Sequence, residues 1–115
     1  AFAESAGIAR EQLVLDPGMG MFVSADPAYS FELVRRLPEL AELGCALLVG
    51  PSRKSFLAKV SPGRILSVQE RLIPGLITAA LAAHNGAHLI RMHDVSETRL
   101  MLDTLAQLHP ITAMK

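Results

Sequence analysis

Three short stretches concentrate the side chains able to do chemistry: Asp16 before Pro17-Gly18, the run Ser52-Arg53-Lys54-Ser55, and Arg91 followed by His93-Asp94. They supply two carboxylates, counting Asp94 beside the imidazole, with a lysine, two arginines, an imidazole and two hydroxyls. That mixture suits a ligand that is partly anionic and partly a hydrogen-bonding heterocycle. Ser55 is expected at a helix start, where free N–H groups and the helix dipole favour an anion. Each stretch also has a purely structural reading. Asp before Pro-Gly is a good turn residue. An Arg-Lys pair is commonly a solvated surface. His93 beside Asp94 suits a helix start. What separates function from structure is whether the three stretches meet on one edge of the fold.

Other residues carry weaker signals. Met19 and Met21 read as loop packing and Cys45 as an inert core thiol. His84 and His88 read as ordinary helix-end and strand-start residues. No Cys/His spacing suggests zinc. Gly18-x-Gly20 lacks the third glycine of a nucleotide-binding loop. Ser52 is not in the strand-to-helix elbow sequence of a serine nucleophile.

The positioning elements follow from apolar runs and their stops. Residues 1–9 are alanine-rich and read as the end of a helix, with Gly7 as its stop. Leu13-Val14-Leu15 reads as a buried strand ended by Asp16-Pro17-Gly18. A loop over 19–24 leads to a helix capped by Asp26 with Pro27 at its first position. Phe31, Val34, Leu37, Leu40 and Leu43 give that helix its apolar spacing. Pro38 kinks or splits it and Gly44 closes it. Ala46-Leu47-Leu48-Val49 is a second strand, ended by Gly50-Pro51. The run from Ser52 reads as a loop entering a short helix, and residues 60–67 as a surface loop. A long apolar helix opens near Pro74 and passes Ile77, Ala80, Leu81 and Ala83 to Asn85-Gly86. Residues 87–92 form the third strand. Ser96 is expected to cap a last helix with Leu100, Leu102, Leu105 and Leu108 as its apolar residues, ended by His109-Pro110.

The order is strand–helix three times, with continuously apolar strands. It predicts an α/β fold of three consecutive βα units, with parallel strands covered on both faces. In such folds, functional groups sit beyond the carboxyl ends of the strands. All three chemical stretches fall there.

Composition excludes other classes. The chain has 115 residues, 50% of them hydrophobic, and 11 basic against 11 acidic side chains, so its formal net charge is zero. A chain this apolar is not disordered. Charge balance argues against a nucleic-acid partner. One cysteine excludes a disulfide scaffold and suits a reducing, cytoplasmic compartment. No apolar run approaches the ~18 residues of a membrane span, and Glu4 and Arg10 leave no visible signal peptide.

Leu15-Asp16-Pro17-Gly18-Met19-Gly20, Leu48-Val49-Gly50-Pro51-Ser52-Arg53-Lys54-Ser55-Phe56 and Gly86-Ala87-His88-Leu89-Ile90-Arg91-Met92-His93-Asp94-Val95 occur in that order. Together they resemble the C-terminal half of the dihydropteroate synthase family, over nearly the whole chain. The resemblance implies that residues 1–115 are the C-terminal portion of a TIM (β/α)8 barrel. It implies a transferase of folate biosynthesis that condenses 6-hydroxymethyl-7,8-dihydropterin diphosphate with 4-aminobenzoate and releases diphosphate. Asp16 and Lys54 are then the candidate catalytic residues, Asp16 at the pterin ring nitrogens and Lys54 at the ring's polar edge. Arg53 would line the aminobenzoate channel, Ser55 would hold the aminobenzoate carboxylate, and Arg91 and His93 would bind the diphosphate. A carboxylate beside the pterin would stabilise positive charge developing as the diphosphate departs. Magnesium is implied, with ligands mainly from the diphosphate and from the family's N-terminal half.

The chain departs from the family at two places. Many members carry Gly-Phe-Gly-Lys where this chain has Gly20-Met21-Phe22-Val23, which leaves Met21 or Phe22 to wall the aminobenzoate channel. Pro51 stiffens the second loop. The family's N-terminal strands, with further pterin-binding and metal-binding loops, do not appear here, and three strands cannot close a barrel of about 250 residues. The expectation is a fragment of a longer protein, or a half-barrel pairing with an N-terminal half or with itself as a homodimer. Two alternatives remain: a non-catalytic pterin-binding or self-associating module, and a related pterin-binding methyltransfer domain.

Overall fold

The structure is a computed structural model that describes residues 2–20 and 26–108. Its centre is a three-stranded sheet in the order β1-β2-β3, formed by β1 (Val14–Leu15), β2 (Ala46–Val49) and β3 (Leu89–Ile90). Both pairings are parallel, with Val14 opposite Ala46, Leu15 opposite Leu47, Leu48 opposite Leu89 and Val49 opposite Ile90. β1 and β3 are shorter than the apolar runs that encode them, whereas β2 matches its run.

Register sorts the strand residues into two faces. Leu15, Leu47, Val49 and Ile90 point into the core, where Leu47 and Val49 are fully buried beside Met19, Val34, Leu37, Phe56, Leu57 and Ala82. Val14 and Leu89 point the other way and stay 49% and 46% exposed. The helices therefore cover one face, not the two that continuous apolar runs predict. An uncovered apolar face is what three units cut from a closed barrel would present.

The helices follow their local signals closely. A one-turn α1 (Phe2–Ser5) ends before Gly7, which takes φ +93°. A 3₁₀ turn over Arg10–Gln12 then leads into β1. In α2 (Pro27–Arg35), Asp26 caps by accepting the Ala28 N–H at 3.0 Å. Pro38 cannot donate to the preceding turn, so α3 (Leu37–Ala41) begins as a separate helix after Arg36. Val34 and Leu37 are buried as expected, whereas Leu43 lies past the end of α3 and is exposed.

A second 3₁₀ turn, Gln69–Arg71, feeds α4 (Leu72–His84). The core side of α4 is made of Gly75, Thr78, Ala79 and Ala82, while Ile77 and Leu81 face outward. Because this helix is apolar all round, its sequence period could not say which side packs. The last helix, α5 (Val95–Leu108), starts one residue before Ser96. The carbonyl of Asp94 accepts the first helical bond, from Thr98 N–H at 2.9 Å, so Asp94 occupies the cap position assigned to Ser96. Leu100 and Leu108 are exposed rather than core. The expected helix end at His109-Pro110 lies outside the described residues, as does Met21.

At the amino-terminal edge, His88 does more than begin a strand. Its N–H donates to Leu47 O at 2.8 Å, and its Nδ1 accepts Leu47 N–H at 3.0 Å. An imidazole thus stands in for a strand carbonyl between β2 and β3.

Candidate functional site

Asp16 stands at the carboxyl end of β1. Its Oδ1 accepts Gly18 N–H at 2.9 Å, a tight Asx turn that Gly18 closes at φ +80°. The turn occupies one carboxylate oxygen. The other, Oδ2, lies 3.9 Å from Arg91 Nη2 at the end of β3. The turn role of Asp16 therefore engages one carboxylate oxygen and leaves the other facing Arg91.

The loop after β2 is built to let Arg91 through. A Cβ on Gly50 would meet Arg91 Nε at 3.2 Å and Nη2 at 3.3 Å, so glycine keeps the guanidinium's path over the backbone open. Pro51 is fully buried and its carbonyl accepts Lys54 N–H at 3.3 Å, closing a turn. Within it, Arg53 takes φ +58°, the left-handed region that a non-glycine residue enters at a cost. It is held there from two sides. Its carbonyl accepts from Arg71 Nη1 at 3.1 Å, and its own Nη2 pairs with Asp94 Oδ1 at 2.9 Å. Arg71 Nε is buried with no hydrogen-bond partner among the described residues. Strain of this kind is characteristic of functional loops. Arg53→Gly is expected to raise the melting temperature by a few degrees while loosening the loop beside Lys54. A thermal melt that shows a drop would refute the strain argument.

Lys54 follows, with the 3₁₀ turn Ser55–Leu57 behind it. Phe56 and Leu57 are buried, and Phe56 meets Phe31 of α2 edge to face at 5.1 Å between ring centres. These rings pin the backbone from which Lys54 reaches back toward Asp16. Burial lowers the pKa of its ammonium; the Asp16 carboxylate opposes that shift and the Arg91 guanidinium adds to it.

Two cavities meet at Lys54 and Arg91. One, of about 340 Å³, is lined by Asp16, Pro17, Gly18, Lys54 and Arg91. The other, of about 190 Å³, is lined by Gly50, Ser52, Lys54, Arg91, Met92 and His93. The two lie side by side at the carboxyl ends of the strands and share Lys54 and Arg91 as lining. One end carries a carboxylate, the middle two cations, the far end an imidazole. Such an arrangement can hold a polar heterocycle at one end and an anion at the other.

The structure thus brings Asp16, Lys54, Arg91 and His93 together. Arg53 and Ser55 line neither cavity. Arg53 is turned toward Asp94 at the start of α5, and exposed Ser55 opens a three-residue 3₁₀ turn rather than an α-helix, so the helix N-terminus expected there is not formed. The sequence counted Ser52 among its hydroxyls without a partner and gave Gly50 no part beyond ending the strand. Ser52 is buried and bonds His93, and Gly50 clears the way for Arg91. A Gly-Pro step directly after an apolar strand was the available signal, since it marks backbone passing close to something.

A family model described as pterin binding enzyme matches residues 1–93. The chain belongs to the pterin-binding enzyme family. Among its relatives, the dihydropteroate synthase of Escherichia coli K12 is 45% identical over 100 residues, covering 85% of this chain and 33% of that protein. A type-3 dihydropteroate synthase from Escherichia coli is 40% identical over 91 residues, 78% of this chain and 34% of that protein. The chain therefore spans about a third of the length of these relatives. The crystal structure of the Yersinia pestis dihydropteroate synthase superposes with a TM-score of 0.84 at 34% identity, over 96% of this chain and 50% of that one. The Xanthomonas albilineans dihydropteroate synthase, in complex with 7,8-dihydropteroate, gives a TM-score of 0.85 at 33% identity, over 96% and 41%. The three parallel βα units are thus a section of a pterin-binding TIM barrel, and the open face carrying Val14 and Leu89 corresponds to the barrel's interior side.

Proposed function

We propose that this chain supplies the C-terminal part of a dihydropteroate synthase site, in which 6-hydroxymethyl-7,8-dihydropterin diphosphate condenses with 4-aminobenzoate. The observation that carries the reading is the pair of adjoining cavities that share Lys54 and Arg91, one reaching Asp16 and the other His93. Asp16 Oδ2, left over from its turn, would accept from the pterin's ring N–H and amino groups. Lys54 would donate to the ring's polar edge. Arg91 and His93 would hold the diphosphate. The amine nitrogen would attack the pterin's methylene carbon as its bond to the diphosphate oxygen breaks. The nitrogen's proton would pass to solvent and the diphosphate would leave as an anion. Asp16 would stabilise positive charge gathering on the pterin, and Arg91 and His93 the negative charge leaving it.

Arg53 and Ser55 enter this reading at the aminobenzoate side, outside the two cavities, with Met21 as a wall of that channel. Among the described residues no group of three His, Cys, Asp or Glu could hold a metal ion. Magnesium would enter this reading with ligands mainly from the diphosphate and from the N-terminal half of the family's barrel, and no step assigned to these residues passes through it. The reading places the reaction in the cytoplasm, in keeping with the free thiol of Cys45. Among the described residues no helix is long and apolar enough to cross a membrane. The apolar groove of about 410 Å³ between α4 and α5, lined in part by Leu76, Leu100, Met101 and Leu105, supports pairing with a second copy. The uncovered sheet face supports pairing with the N-terminal half of a barrel.

Calorimetric titration of pterin diphosphate into the whole gene product tests the site. The wild type should bind. Asp16→Asn puts an amide, with a donor, where two lone pairs faced the ring, and should show no binding at ligand concentrations that saturate the wild type. Equal affinity in both proteins would refute the assignment.

A further inference from the structure

We infer that Ser52 is a positioning residue that fixes His93 as its Nε2–H tautomer, so that the ring presents a hydrogen-bond donor, rather than a lone pair, to the cleft. Ser52 is only 8% exposed. Its Oγ lies 2.8 Å from His93 Nδ1 and 3.0 Å from the backbone nitrogen of His93. The backbone N–H can only donate, so Oγ accepts there. The hydroxyl keeps one proton to place, and among the described residues His93 Nδ1 is the acceptor it meets. The opposite arrangement would have Nδ1–H donate to the same oxygen. That would leave the proton of a buried hydroxyl without a partner, which is costly. Nδ1 therefore accepts, and a neutral ring carries its proton on Nε2.

The geometry behind this bond is well determined by the backbone. Pro51 is fully buried and its carbonyl closes the turn to Lys54 N–H, which sets Ser52 beneath the loop. Arg91 N–H donates to Val49 O at 3.0 Å, which carries the β2–β3 register to within two residues of His93. Ser52 and His93 line the same cavity as Arg91 and Lys54. A lone pair at that point would repel an anionic oxygen, and an N–H would bind it. The identity of that anion rests on the function proposed above, whereas the tautomer does not.

Long-range proton–nitrogen NMR correlations on the nitrogen-15-labelled whole gene product report the His93 tautomer directly. The wild type and Ser52→Thr, which keeps the hydroxyl, should each show Nε2–H. Ser52→Ala should show a mixture of tautomers, and should bind inorganic diphosphate roughly tenfold more weakly than wild type. An Nδ1–H tautomer in the wild type, or an unmixed Nε2–H tautomer in Ser52→Ala, overturns the inference. A wild type that shows Nε2–H yet takes up no diphosphate supports the role of Ser52 and counts instead against the proposed function.

Discussion

Replacing Lys54 by alanine is expected to weaken pterin diphosphate binding roughly a hundredfold in the whole gene product. Lys54 lines both cavities of the cleft, so its loss affects the ring end and the anion end together. The variant also lets Asp16 and Arg91, already 3.9 Å apart at their nearest charged atoms, satisfy each other instead of a ligand. A pH series gives an independent signature. Burial depresses the ammonium's pKa, so the wild type should lose affinity as pH rises through an alkaline range that lies below the ordinary lysine value. Stability should move the other way. Between the depressed folded pKa and the ordinary unfolded one, the folded protein binds fewer protons than the unfolded chain. Stability therefore rises with pH across that window and is lower beneath it. Lys54→Ala should flatten the contribution of this group to both slopes. Calorimetry showing a loss of less than threefold would remove Lys54 from the site.

Leu47→Ala is expected to destabilise the protein by about 3–4 kcal/mol, measured by urea unfolding. Leu47 sits in the central strand at 0% exposure, among Val34, Leu37, Val49, Phe56 and Leu57. Few of its neighbours can collapse into the space left behind, since the strand is paired on both edges. Ile65, at 74% exposure in the loop before α4, is the matching control. Its alanine variant should fall within about 0.5 kcal/mol of wild type. Similar costs for the two would mean that the core is not organised around β2. Because Leu47 lies two residues before Val49 and the Gly50 turn, its loss should also loosen the platform from which Lys54 and Arg91 reach the cleft.

The elements whose signals are local were legible from residue order. Asp26-Pro27 starts α2 and Pro38 divides it from α3, because a cap and a missing N–H act within one turn. Where two local signals competed, the nearer one to the strand won. Asp94 took the cap position rather than Ser96, since the chain leaving β3 turns into α5 at once. Ser55 shows the limit of such reasoning. A hydroxyl after a basic pair looked like a helix start, yet Phe56 and Leu57 are drawn into the core and shorten the helix to a single 3₁₀ turn.

The amino-acid order by itself determined that three apolar strands end in Asp16, in Ser52 to Ser55, and in Arg91 to Asp94. Parallel strands deliver such ends to one rim, so the meeting of Asp16, Lys54, Arg91 and His93 followed from periodicity and stop signals alone. Only the tertiary structure decided which sheet face is covered, which side of α4 packs, and which partner each long side chain takes. Arg53 reaches Asp94, and Ser52 reaches His93, each across 41 positions of sequence. Those choices depend on distances between segments brought together by folding, and on flexible side chains with several rotamers that local sequence leaves nearly equal in energy.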